Sequence, residues 1–455
     1  MHWSGPRAAR DRGRLRGRQA LFWLTGALLA AALVIGGASR ENLIQVSVLE
    51  LASLPLLGMA ALALTRQDAW KRLWPALAIL AFVAAIPLLQ LIPLPFETWA
   101  ALPGRQTAAR VLQLSGLGHG WRPFSLTPLE TWRNWLALLP PAAVFLAVAS
   151  LRDADRRTLT LLFPIAAAIS LIVGVAQIVG GSSLYLYETT NLGSGVGLFS
   201  NRNHQAALLL ASLPFAALLM DFRQRDRRKL ALAFAAAGAI FLIEIIGLVV
   251  VRSRAGVLLL APALLGSFLL VMRQGESRTA MRGAAVLGGV ILVALALSLF
   301  GSGPVLERFR ESGDGRMHIV PVVAEAAAAN LPFGSGVGSF ERVYASVEPI
   351  STMTNLFWNH AHNDYLEVWL EAGVLGAAAV LLFFAWWVVR AWAAWRGGPS
   401  LDRHLGRAAS VASGVLLIHS TVDYPLRTLS LACLFAFCCA LMIPAPDARR
   451  PSGAR

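Results

Sequence analysis

Residues 230–251 read LALAFAAAGAIFLIEIIGLVVV, with Glu244 as the one ionisable side chain in the run. At about 1.5 Å of rise per residue, a helix of about 20 residues covers the hydrocarbon core of a bilayer. The run lacks the polar stripe that a soluble amphipathic helix shows once per turn. It reads as a membrane span, and LFWLTGALLAAALVIGGA (21–38) and AAVLGGVILVALALSLF (284–300) have the same character. A length of 455 residues would suggest two or three soluble domains, but a chain 56% hydrophobic and 14% charged overrules that. The fold class is all-α, a polytopic helical membrane protein.

Twelve spans are expected, near 20–38, 43–64, 73–94, 130–150, 158–180, 203–220, 230–250, 254–272, 282–300, 364–389, 408–422 and 427–444. They divide the chain into a basic cytoplasmic N-terminus (1–19), nine helices (20–300), a large outer loop (301–363), three helices (364–444) and a cytoplasmic tail (445–455). Arg and Lys set the orientation. With RAARDRGRLRGR (7–18) inside, most of the 40 basic residues fall in inner loops and most acids fall outside. The net charge of +15 is thus largely topological, and anionic inner-leaflet lipid accounts for it without nucleic acid. The first span reads as an uncleaved anchor. Cys433, Cys438 and Cys439 share the last span, with no metal or disulfide pattern, and read as packing residues.

Three outer segments are long: 95–129, 181–202 and 301–363. Loops of that length in a chain of short connections carry function. The glycine run PFGSGVGSF (332–340) lacks the Lys-Ser/Thr of a nucleotide loop and reads as a flexible turn. DAD (153–155), among Arg152, Arg156 and Arg157, reads as a solvated loop. WNHAHNDYLEVWLEAGVLG (358–376) sets two His, two Asn, an Asp and two Glu at the mouth of the tenth span. Asn363, Asp364 and Glu367 suit a helix N-terminus. His360 and His362 have no such explanation. Arg252 and Arg254 sit between two spans with almost no loop, where charge is costly unless paired or functional. Arg316 lies in the large loop on the same predicted side.

This ordered set resembles the O-antigen ligase and polymerase family of bacterial envelope glycan assembly. HNDYLEVWLEAGVLG (362–376) is similar to its His-Asn-x9-Gly-x-x-Gly signature, and RAGVL (254–258) to its Arg-x3-Leu element. GRMHIVPVVAEAAAANLPFGSGVGSF (315–340) resembles its loop Arg, short helix and Pro-x-Gly-x-Gly turn. GLFSNRNHQAALLLASLP (197–214) and HSTVDYPL (419–426) resemble a span opening and a late Asp-containing turn. The family often has Trp shortly after the loop Arg, and here RMHIV departs from that.

The resemblance implies a glycan donor on undecaprenyl pyrophosphate in the inner membrane and an acceptor sugar hydroxyl at the periplasmic face. The acceptor is a lipid A core for a ligase and a second lipid-linked glycan for a polymerase. His362 is the expected base. Arg254, Arg316, Arg252 and Arg202 are expected on pyrophosphate or glycan, His360 and Asn363 beside them, and Asp423 holding an Arg or a His. Guanidinium charge stands in for a divalent metal, so no metal and no cofactor is expected. Two rivals remain, a transporter or flippase, for which Glu244 is a mid-span candidate, and a glycan-binding scaffold.

Overall fold

The computed structural model describes residues 6–39, 42–67, 69–188, 192–220, 226–273, 288, 316–353 and 357–446. The expected ninth span (282–300), except residue 288, and the first part of the large loop (301–315) lie outside the described residues.

The regular structure of the described chain is helical apart from one short antiparallel strand pair. Its elements are α1 (Pro6–Ile35), α2 (Leu43–Arg66), α3 (Trp70–Gln90), β1 (Pro93–Pro95), α4 (Phe96–Ala100), α5 (Gln106–Leu114), β2 (Trp121–Pro123), α6 (Pro128–Leu136), α7 (Leu139–Ser150) and α8 (Asp153–Leu159). There follow α9 (Leu162–Gly180), α10 (Arg202–Ala217), α11 (Arg227–Val251), α12 (Arg254–Met272), α13 (Arg316–Ala329), α14 (Phe340–Val347), α15 (Asp364–Arg396), α16 (Leu401–His419) and α17 (Leu429–Leu441). Among the described residues, eight helical stretches are long and apolar enough to cross a membrane: α1, α2, α3, α6–α7, α8–α9, α11, α12 and α15.

Several expected boundaries shift for local reasons. The 73–94 span ends at Gln90, and Pro93 to Pro95 pair antiparallel with Trp121 to Pro123 instead. The 130–150 span is two helices, because Pro140 and Pro141 lack the N–H groups to continue the α6 ladder. The 203–220 helix stops at Ala217 after 16 residues. Every side chain from Asn203 to Ala217 is buried, with α9, α11, α12 and α16 packed around it. A helix surrounded by protein does not have to match the bilayer thickness.

The two ends of the bundle are bonded differently. At one end arginines cap helix carbonyls, which satisfies groups that a helix C-terminus leaves open. Arg156 donates to Val148 O (2.9 Å), Ala149 O (3.0 Å) and Ile443 O (2.8 Å). Arg390 donates to Met442 O (2.9 Å), Arg407 to Ala394 O (3.0 Å), and Arg72 to Ala149 O (3.1 Å) and to Pro444 O. The solvated-loop reading of 153–157 is therefore wrong for Arg156, which is fully buried, while Asp155 pairs with Arg18 at 2.6 Å.

At the other end the outer segments lock onto α15. This helix is broken at Gly373 (φ 54°, ψ −139°), so the carbonyls of Leu370 and Glu371 turn away from their own helix. The glycine run takes them: Ser335 N–H donates to Leu370 O and Gly336 N–H to Glu371 O, both at 2.9 Å, while Val374 N–H donates to Pro332 O at 2.9 Å. Gln90 fixes the same joint, its Nε2 donating to Glu371 O (2.9 Å) and its Oε1 accepting from Val337 N–H (2.8 Å). Arg105 ties in the first outer segment, donating to Asn330 Oδ1 (3.0 Å), Phe124 O (3.1 Å) and Gly334 O (3.2 Å). Burial pushes its guanidinium down to about 10. The 332–340 turn is a docked plug, not the flexible turn expected.

A Cβ on Gly373 would meet Pro332 O and the Gly334 backbone, at a φ that L residues avoid. Gly373→Ala should destabilise the detergent-solubilised protein by roughly 1–3 kcal/mol of backbone strain plus the clash, read as earlier thermal unfolding. Gly58→Ala, with open space around the position, should unfold at or above the wild-type temperature. For topology, Ala345→Cys on α14 should react with a membrane-impermeant maleimide from the outer side, and Arg228→Cys on α11 only after the membrane is breached. The native cysteines are buried and give no background. Labelling of Arg228→Cys in cells with an intact inner membrane would reverse the orientation.

Candidate functional site

The site is built on the start of α15. Asn363 is the N-cap, its Oδ1 accepting from the N–H groups of Tyr365 and Leu366 at 3.0 Å each, and its amide donates to Thr421 O at 3.1 Å. Glu367 reaches back over the preceding loop, accepting from Ala361 N–H (2.8 Å) and meeting His360 Nδ1 (2.8 Å). Held from both sides, His362 takes a left-handed φ of 52°, uncommon for a residue with a Cβ. Its ring stands edge-on to Trp358 and Tyr424, and its Nδ1 lies 3.2 Å from Asp423 Oδ1. An ionised Asp423 accepts there, which puts the imidazole proton on Nδ1 and leaves Nε2 with its lone pair.

Asp423 is fully buried between α16 and α17. It also accepts from Tyr424 N–H (2.9 Å) and from the Asn203 amide, and His204 Nε2 stands 4.0 Å away. Asn203 in turn accepts from Ser253 Oγ at 2.8 Å. Ser253 caps α12, so Arg254 is the first residue of that helix and half-buried, while Arg252 closes α11 in a left-handed conformation (φ 53°) and is exposed. Burial, with Asp423 beside it, pushes the Tyr424 phenol up to about 12, so its hydroxyl stays protonated and serves as a hydrogen-bonding wall.

The expected residues thus fall into groups. His362 and Asp423 are in contact, and the partner Asp423 holds is a histidine. Asn363 is a cap, and His360 is the partner of Glu367. Arg202 opens α10, half-buried, next to the N-cap Asn201. Arg316 opens α13, with its side chain outside the described residues.

Arg427 was missed by sequence reading. It lies in the turn before α17, 3.1 Å from Glu367 Oε1, 3.0 Å from Glu371 Oε2 and 3.6 Å from Asp364 Oδ1. Its burial opposes the charge, yet the three carboxylates raise its pKa above the ordinary guanidinium value. Helix-end electrostatics, the reading given to Asp364 and Glu367, accounts for only part of their placement and does not cover Glu371. Positions 364, 367 and 371 are one face of a helix, and three acids on one face of a membrane span call for a cation. That spacing was the available signal.

Below the cluster an apolar groove of about 380 Å³ runs between α3, α15 and α17, lined by Ile79, Val83, Val368, Ala379, Phe383 and Phe435. Arg427 and Asp364 close its polar end, and neither His362 nor Arg254 lines it.

No curated protein gives a significant match to the chain. A family model does: it covers residues 238–381, from within α11 through Arg252, Arg254 and Arg316 to His362, Gly373 and Gly376, and stops short of Asp423 and Arg427. Residues 238–381 of this multi-helix chain match the family model described as O-antigen ligase.

Proposed function

We propose that the protein is a glycosyltransferase of the inner membrane. In this reading it moves a glycan from undecaprenyl pyrophosphate to an acceptor sugar hydroxyl at the periplasmic face, as an O-antigen ligase, on a scaffold of twelve spans. The His362–Asp423 pair is the observation that carries this reading. Transfer requires the acceptor oxygen to lose a proton as it attacks the anomeric carbon, and the pyrophosphate to leave with added negative charge. His362 Nε2 takes the proton, and Asp423 stabilises the imidazolium that forms.

Arg254 supplies charge for the leaving group. It stands in the first turn of α12, where the helix N-terminus adds partial positive charge and free N–H groups. Guanidinium binds phosphate oxygens through two parallel hydrogen bonds. Arg316 and Arg252 join it on the same ligand, with Arg202 toward the glycan. The buried carboxylates Asp364, Glu367, Glu371 and Asp423 are each engaged by Arg427, by histidine or by Asn203. In this reading the cationic role falls to arginine.

A polymerase would use the same chemistry with a lipid-linked glycan as acceptor, and the envelope glycans of a deletion strain separate the two. Free core lipopolysaccharide beside accumulated long lipid-linked polymer means ligase. Core capped by a single repeat means polymerase. For the transport reading, Glu244 is the relevant side chain, and it is buried against Ser212 (2.6 Å) on α10.

His362→Ala should lower turnover by about 10² to 10⁴, the usual worth of general-base help, with little change in donor affinity. His360→Ala should be far milder, since its ring is spent on Glu367. Normal turnover in His362→Ala would sink the catalytic reading. Arg254→Ala should abolish transfer in folded protein, and Arg254→Lys should restore only part, because an ammonium lacks the planar fork. Turnover should persist in EDTA. Complete loss in chelator, restored by magnesium, would move the leaving-group role from arginine to a metal.

A further inference from the structure

The hydrogen bonds that run from His362 into the bundle have only one consistent direction. Asp423, as a carboxylate, can only accept, so Asn203 must present its amide Nδ2 to it. The Asn203 Oδ1 is then turned toward Ser253, whose hydroxyl donates to it at 2.8 Å. Ser253 Oγ keeps its lone pair for Gly256 N–H at 3.1 Å, the N-cap bond of α12. The Ser253 hydroxyl proton thus goes to Asn203 Oδ1, and one Asn203 amide hydrogen goes to Asp423. Asn203 itself is fixed by Asn201 Oδ1, which accepts from its backbone N–H at 2.9 Å. Asn203, Ser253 and Asp423 are all buried, so water does not substitute for a missing link.

The starts of two helices and the turn between two more meet at this one amide. Asn203 is on the first turn of α10, Asp423 lies between α16 and α17, and Ser253 precedes Arg254 on α12. An apolar residue at 203 would fill the space among the helices and serve packing as well. It would not orient a carboxylate or a helix cap.

We propose that Asn203 is a positioning residue that holds His362, through Asp423, in register with the Arg254-bearing start of α12. The proposal rests on the transferase reading given above. By donating to Asp423, Asn203 draws off part of the carboxylate charge and sets how strongly Asp423 favours imidazolium over imidazole at His362. By accepting from Ser253, it keeps the α12 cap in the one orientation that faces the same pair. The other titratable groups around the pair are Tyr424, whose ring meets His362 and whose N–H bonds Asp423, and His204 on α10, 4.0 Å from Asp423, with His360 on the loop before α15 and His419 at the end of α16 beside His204.

The test is the pH dependence of transfer by the full-length protein in detergent, with a lipid-pyrophosphate glycan as donor. In Asn203→Leu, Asp423 loses a donor and becomes the stronger base-side partner. Imidazolium is then favoured, so the acid limb of the turnover profile should move to higher pH. The maximum rate should fall about tenfold, as for loss of a hydrogen bond to a charged group. Ser253→Ala should move the limb in the same direction, and Ser253→Thr, which keeps the hydroxyl, should restore it. This pair decides the question should Asn203→Leu fail to fold. In an Asp423→Asn background, adding Asn203→Leu should cost little more, because the coupling is already gone. An unmoved acid limb in both Asn203→Leu and Ser253→Ala, or fully multiplicative losses in the double variant, would overturn the assignment. His362→Ala with normal turnover would instead remove the transferase reading beneath it, so the two failures are distinguishable.

Discussion

One guanidinium gathers the charged end of this protein. Arg427, half-buried, faces the buried Asp364, Glu367 and Glu371, successive acids along one face of α15. Removing one partner from a buried ion cluster is far more disruptive than the net stability of the cluster suggests, because the remaining charge has nowhere to go. Each acid also has a second task. Glu367 holds His360 and the Ala361 N–H, Glu371 accepts from Gly338 (2.9 Å) and Phe340 (3.2 Å), and Asp364 accepts from Ser420 Oγ (2.7 Å). The loop that bears His362, the glycine plug and the turn after α16 are therefore all referred to a single cation.

The apolar runs were legible because a membrane asks for length and apolarity, which a sequence displays directly. So were the polar residues at the mouth of α15, because His, Asn and Asp in such a run contrast with everything near them. What stayed hidden was pairing. Asn203 and Asp423 are 220 residues apart, and Glu371 and Arg427 are 56 apart. Nothing in a local pattern says which distant polar groups meet. The break at Gly373 was hidden for another reason. Apolar residues continue on both sides of it, and only the docked turn shows where the freed carbonyls go. Arg156 was misread because a buried arginine that caps carbonyls has the same sequence appearance as a solvated one.

His362 combines two conditions that seldom coincide in an ordinary core residue. Its backbone is in the left-handed region, and its ring is bonded to a buried carboxylate. Strained backbone persists where surrounding structure over-determines it, and such residues cluster at functional sites. Here the surrounding structure is identifiable: the Asn363 cap on one side and the Glu367 clasp on the other. The protein thereby aims an imidazole from a loop with the constancy of a side chain on a helix.

The separation of Arg427 from its acids bears on how the chain is made. A ribosome delivers α15, with Asp364, Glu367 and Glu371, well before it delivers the residue that balances them. An unpaired acid at the centre of an inserting helix is opposed by about 2.5–3.5 kcal/mol, less toward the ends. These three fall within the first eight residues of the helix, toward its end, so α15 can enter with its acids still wet. Only when α16 is made and the turn at 425–427 returns to the same end can Arg427 arrive and dry them. The order of synthesis thus makes the last helical hairpin the step that closes the site. A nascent chain halted before residue 427 would hold the His362 loop with no frame to set it.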